Sequence, residues 1–221
     1  MHFLCITSNE AQVTEQLSTL LLPEPADIPD KYDQTNDSID RQVCNLWIRK
    51  WTDAITLPKP NFSYAMNQIA FQPEHLERLM FYGTFQPVNF FPDGRYFPFL
   101  VCEVMSAKGN MNNCHQQAVK GAITAVKGIV PLCAYADLGA LDDIEARILC
   151  YSIENNHERL KILEHFFTRE NCEIRYYNYK LFHGELEEDV MEIVGSDCQR
   201  VIWSKALAIM REILDDFYKT H

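Results

Sequence analysis

Glu103 is the residue whose setting most suggests chemistry, because it is the one charge inside the apolar run Phe97 to Met105. A carboxylate in a buried strand is costly unless something pairs with it. On the residues alone it is either a ligand or acid with a purpose, or a strand-end glutamate turned to solvent. Other reactive types are less suggestive. His115 follows Cys114 but has no ligand-spaced partner, and His75, His157, His165 and His183 are scattered, so the close pairs of a structural zinc site are missing. The eight cysteines form no CxxC pair and lie mostly in apolar runs, as small buried hydrophobes do in a reducing compartment. There is no GxSxG, P-loop or GxGxxG. Lys120 and Lys127, seven apart, share a helix face that either tracks phosphates or is simply solvated. The aromatic segment 81–99 either stacks bases or packs a core, and core is the usual fate of such rings.

These residues need elements to hold them. Ser8 caps an expected helix through Leu17, Leu20 and Leu21, which ends at Pro23. A loop rich in Pro, Asp and Asn fills 23–38. Ile39, Val43, Trp47 and Trp51 recur at i+4 and predict a second helix, closed by Pro58 and Pro60. Residues 61–71 are read as extended, and Pro73 opens a helix with Leu76, Leu79 and Met80 on its buried face. Pro92-Asp93-Gly94 marks a turn, Phe97 to Met105 the strongest strand, and 112–129 a long helix. Strands are expected over Arg147–Ile153, Leu160–Phe166 and Glu173–Leu181. Trp203, Leu207, Met210, Leu214 and Phe217 give the apolar face of a terminal helix over 200–218. This order predicts an α/β or α+β sandwich around one sheet.

Three segments together resemble the fungal PD-(D/E)XK nuclease-like family. Pro98 to Met105 resembles its strand PFLxxExK, Leu57 to Tyr64 its PxPDxxYG segment, and Asn113 to Ala118 its glutamine-bearing helix start. Leu149–Ile153 and Leu163–Phe166 follow its later strands, so the likeness runs over roughly residues 38–218. The resemblance implies an α/β fold with a central mixed β-sheet flanked by helices, the restriction-endonuclease-like core. It implies a nuclease-like domain over 38–221, which leaves residues 1–37 outside it as an N-terminal helix and linker extension. In such a site an Asp and a Glu from adjacent strands hold Mg2+ through hard oxygens. The metal polarises the phosphate and acidifies a water, and a Lys two residues beyond the Glu offsets charge in the transition state.

This sequence departs from that pattern twice. Asn61 stands at the family's Asp, and Met105 stands at its Lys. Glu103 remains, as do Gln116 and Gln117 at the helix start. Lys108 could reach back in place of the missing lysine, and Asp93 could join Glu103 on a metal, although a Pro-Asp-Gly turn already explains Asp93.

The formal charge of −11 sets an average repulsion against polyanions, disfavouring nucleic acid short of a local basic patch. No run is long and apolar enough for a membrane span or a signal peptide, so the expected setting is intracellular, cytoplasmic or nuclear. The expectation is therefore a catalytically impaired nuclease-like protein, without a cofactor, that acts as an interaction or regulatory module with a protein partner. The family's dimers leave a homodimer open, with residues 1–37 as the arm. The alternative is a Mg2+-dependent nuclease with a site rearranged around Glu103 and Lys108. A third class, a small-molecule enzyme using Glu103 and His115 as acid or base, has no specific support.

Overall fold

The computed structural model describes residues 39–44, 46–47, 58–70, 73, 76–77, 95–106, 109–136, 138–156, 159–171 and 173–185. The expected N-terminal helix and linker, most of the aromatic segment with Asp93, Lys108, and the helix over 200–218 lie outside them.

Six strands make one mixed sheet in sequential order: β1 (Ile39–Val43), β2 (Phe62–Met66), β3 (Tyr96–Val104), β4 (Cys150–Asn155), β5 (Arg159–Glu170) and β6 (Glu173–Glu185). Every neighbouring pair is antiparallel except β3 and β4. A parallel pair cannot be joined by a hairpin and needs a crossover. Helices α1 (Met111–Ala136) and α2 (Leu138–Ile144) supply it. The single sheet of an α/β chain expected from the element order, and the mixed strand directions implied by the resemblance, are therefore present.

The expected helix at Ile39 is instead strand β1, which pairs with β2 from Ile39 opposite Met66 to Val43 opposite Phe62. The reason is geometric. Residues four apart share a face in a helix and also in a strand of period two. Without an i+3 partner, the stripe Ile39, Val43, Trp47 does not discriminate. Trp47 lies beyond a bend at Cys44, whose φ is 50°, and buries its ring in the core. The extended reading of 61–71 holds for β2, after which a short 3-10 turn forms at Gln68–Ala70.

β3 is buried along its length, as its nearly unbroken apolar run requires for a central strand. One face of the sheet receives α1, and small residues let the helix come close. Ala118, Gly121, Ala122 and Ala125 are buried. A Cβ built on Gly121 would stand 3.0 Å from Val101 Cγ1, tighter than ordinary contact. The body of α1 then packs Ala122, Ala125, Val126 and Val130 with Val101, Cys150, Leu149, Phe167, Leu141 and Trp47. Burying these side chains contributes about 1.5–3 kcal/mol for each large one.

Candidate functional site at the head of helix α1

Directly paired residues on neighbouring strands project from the same sheet face. Val101 faces α1, so Glu103, two residues on, does too. Glu103 pairs with Glu154 on β4, Glu154 with Lys161 on β5, and Lys161 with His183 on β6. One step before Phe62, which pairs with Cys102, Asn61 flanks Glu103 on the other side. Asn61, Glu103, Glu154, Lys161 and His183 thus form one row across the sheet, and the head of α1 crosses above it.

The head of the helix is fixed by its own sequence. Asn110 is the cap: its Oδ1 accepts the Asn112 N–H at 2.9 Å. The Cys114 thiol donates to the Glu103 carbonyl at 3.5 Å, tying the first turn to β3. One residue later, His115 reaches the row. Its Nδ1 is 2.6 Å from Glu154 Oε1, and Lys161 Nζ is 3.5 Å from Glu154 Oε2. Lys161 Nζ also approaches His115 Nδ1 at 3.1 Å. One ring nitrogen cannot donate to the carboxylate and accept from the ammonium together. The shorter contact assigns the proton to Nδ1, which donates to Glu154, so both cationic or donor groups converge on that carboxylate. Glu154 is 2% exposed and Glu103 5%, while His115 and Lys161 keep partial contact with solvent at the mouth.

The expected site residues fall into three groups. Asn61 and Glu103 come together across β2 and β3. Asn61 is buried, and its Oδ1 accepts the Val104 N–H at 2.8 Å, while its carbonyl accepts the Cys44 N–H at 2.9 Å. The amide oxygen that would face a cation is thus used to extend the β2–β3 ladder. Met105 leaves β3 with its N–H donating to the Asn155 carbonyl, and its side chain lies against Gly109. Met105 Cγ is only 2.8 Å from where a Cβ on Gly109 would lie, so the turn accepts that side chain because residue 109 is glycine. Gln116 and Gln117 are exposed, and the side chain of that turn that reaches the row is His115. Asp93 and Lys108 lie outside the described residues. Among those residues, no three His, Cys, Asp or Glu side chains are grouped so as to hold a metal ion.

Sequence reasoning missed Glu154 and Lys161. The local signal was weak: Glu154 follows the run Ile148–Ile153 and is itself followed by Asn155 and Asn156, so nothing along the chain marks it as a charge inside an apolar strand. It also missed a second polar pair on this face. Ser152 Oγ is 2.8 Å from His165 Nε2, both buried, and His165 Nδ1 has no hydrogen-bond partner among the described residues. Burial first, then the charges of His115 and Lys161, pull the His165 pKa down to about 4, so it is neutral near pH 7. Burial also raises the Cys102 and Cys150 thiols, which removes both as thiolate nucleophiles. Among the described residues, Cys44, Cys102, Cys114, Cys133 and Cys150 take part in no disulfide.

A family model described as a domain of unknown function, DUF7924, matches residues 4–221. The chain belongs to this family. No curated protein matches the sequence. No solved structure matches it either. Within the described residues of this DUF7924 chain, no helix is long and apolar enough to cross a membrane.

Proposed function

We propose that this DUF7924 chain is a PD-(D/E)XK nuclease-like protein whose usual catalytic site is impaired, and that it acts as an interaction or regulatory module. Support for the restriction-endonuclease-like core comes from topology. An antiparallel β1–β2–β3 meander leads through a helix to a strand parallel to β3, and positions 61 and 103 project from adjoining strands beside that helix.

The observation that carries impairment is Asn61. Its amide has no negative charge, and its oxygen is bound to the Val104 N–H. Met105 offers neither proton nor charge where a lysine would offset charge on the phosphate. Glu154 does add a second carboxylate, but one already neutralised by Lys161 and His115. This donor set does not fit Mg2+, which demands near-octahedral oxygen ligation with carboxylates free to serve. The partner under this reading is a protein, because a net charge of −11 opposes a polyanion. Described cysteines held as thiols and not as disulfides suit a cytoplasmic or nuclear setting.

The test is cleavage of single- and double-stranded DNA and RNA with Mg2+ or Mn2+, with Glu103→Ala alongside. The expected result is no metal-dependent cleavage by either protein. Cleavage by the wild type that disappears in Glu103→Ala would replace this reading with that of a working nuclease.

A further inference from the structure

We propose that Lys161 is a built-in counter-cation, holding by covalent attachment the electrostatic place that a divalent metal ion takes in an active phosphodiesterase of this kind. The inference deepens the reading of an impaired nuclease-like site, and it rests on that reading only for the role the cation would otherwise have.

The argument starts from strand geometry. Glu103 and Glu154 are paired in register on parallel strands, and neighbouring strands run about 4.8 Å apart. Both side chains leave the same face and both are almost fully buried. Two ionised carboxylates so arranged repel each other, and burial weakens the dielectric screening between them. A buried acidic pair persists when a cation sits against it or when one member stays protonated. Here a cation is present in the chain itself: β5 brings Lys161 opposite Glu154 in the same row, with Nζ 3.5 Å from Oε2.

His115 completes the arrangement from above. By donating to Oε1 at 2.6 Å, it occupies the other oxygen of Glu154 and ties the head of α1 to the row. Each Glu154 oxygen thus has one donor. The consequence is a closed network in which the helix head is docked on β4 and β5 without an exogenous ion. Lys161 comes from β5, two strands away from Met105, so it does not restore the position of a lysine two residues beyond Glu103. It neutralises the acid row instead of serving a reaction beside it.

Thermal unfolding of the full chain in chelator, then in millimolar MnCl2 or MgCl2 at matched ionic strength, tests this. The wild type is expected to show no Tm change specific to the divalent ion, and Lys161→Arg, which keeps the charge, to behave the same way. Lys161→Met is expected to melt lower in chelator and to recover about 3–6 °C with Mn2+, because the exposed acid pair then binds the ion. Adding Glu103→Gln to Lys161→Met should abolish the recovery. Glu154→Gln with Lys161→Met should melt near the wild type without metal, since both members of the pair have become neutral. A wild-type Tm that rises with Mn2+ and loses that rise in Glu103→Gln would overturn the proposal. So would a folded Lys161→Met that ignores divalent ions. If Lys161→Met does not fold, the double variant decides: failure of that protein to fold as well would show that Lys161 does something other than balance Glu154. The parent reading fails separately, if the wild type cleaves nucleic acid in a metal- and Glu103-dependent way, whereas a folded Lys161→Met that ignores divalent ions defeats the Lys161 proposal alone.

Discussion

Helix α1 rests on the same sheet face in two different ways. Its body meets Val101, Cys150, Leu149 and Phe167 through alanines, a glycine and valines. Its head meets Glu103, Glu154 and Lys161 through His115 and Cys114. The body is held by area removed from water, which is non-directional and tolerant of repacking. The head is held by a few polar contacts in a dry setting, where each group matters in proportion to what its loss leaves unmatched. The difference teaches where stability and where any function reside. The apolar half sets the fold, and the polar half carries the buried charges on which the proposed function rests.

The largest effect should come from breaking the body. Phe167 is fully buried in the core cluster, and Phe167→Ala should cost about 3–5 kcal/mol by denaturant unfolding. A loss below about 1 kcal/mol would mean that the body is not the stabilising half.

His165 lies between the halves and gives a pH signature. Its folded pKa, about 4, lies below the ordinary histidine value near 6.5. Above pH 6.5 both folded and unfolded states are neutral there, and stability is intact. As pH falls through 6.5, the unfolded chain takes up a proton that the folded chain refuses, so stability declines until about pH 4, where the folded state protonates too. The decline attributable to this residue is on the order of 3 kcal/mol. Denaturant midpoints at several pH values should show His165→Asn with a flatter profile than wild type between pH 6.5 and 4. Parallel profiles would mean that the imidazole is not desolvated as described.

A smaller effect should mark the edge of the polar half. Asn61→Ala leaves the buried Val104 N–H without its acceptor, at a cost of about 1–3 kcal/mol. Asn61→Asp keeps an acceptor and should be milder. Equal losses for the two would show that the amide oxygen is not what closes the β2–β3 ladder.

Much of this arrangement was legible along the chain. The apolar run of β3, the long helix after it and the alternating strands β4 to β6 follow from periodicity, because one buried face writes itself into local sequence. The first strand was not legible, since its apolar residues satisfy two periods at once. The site was half legible. Glu103, Asn61 and Met105 drew attention because they sit in short segments with recognisable order; the structure sets Asn61 beside Glu103, whereas the Met105 side chain lies against Gly109. Glu154 and Lys161 were not, because the row that unites them runs across strands. Register is fixed by which residues face which, over separations that no local window contains. The glutamines Gln116 and Gln117 drew attention by type, whereas helical phase gives the inward position of that turn to His115.

The central claim is that the charge pattern around Glu103, and not the scaffold, stands between this chain and metal-dependent chemistry. Calorimetric titration of Mn2+ into the wild type and into Asn61→Asp with Lys161→Met tests it most directly. The account predicts no site-specific heat for the wild type and saturable binding for the double variant, lost again when Glu103→Ala is added. Saturable binding by the wild type that depends on Glu103 would contradict it.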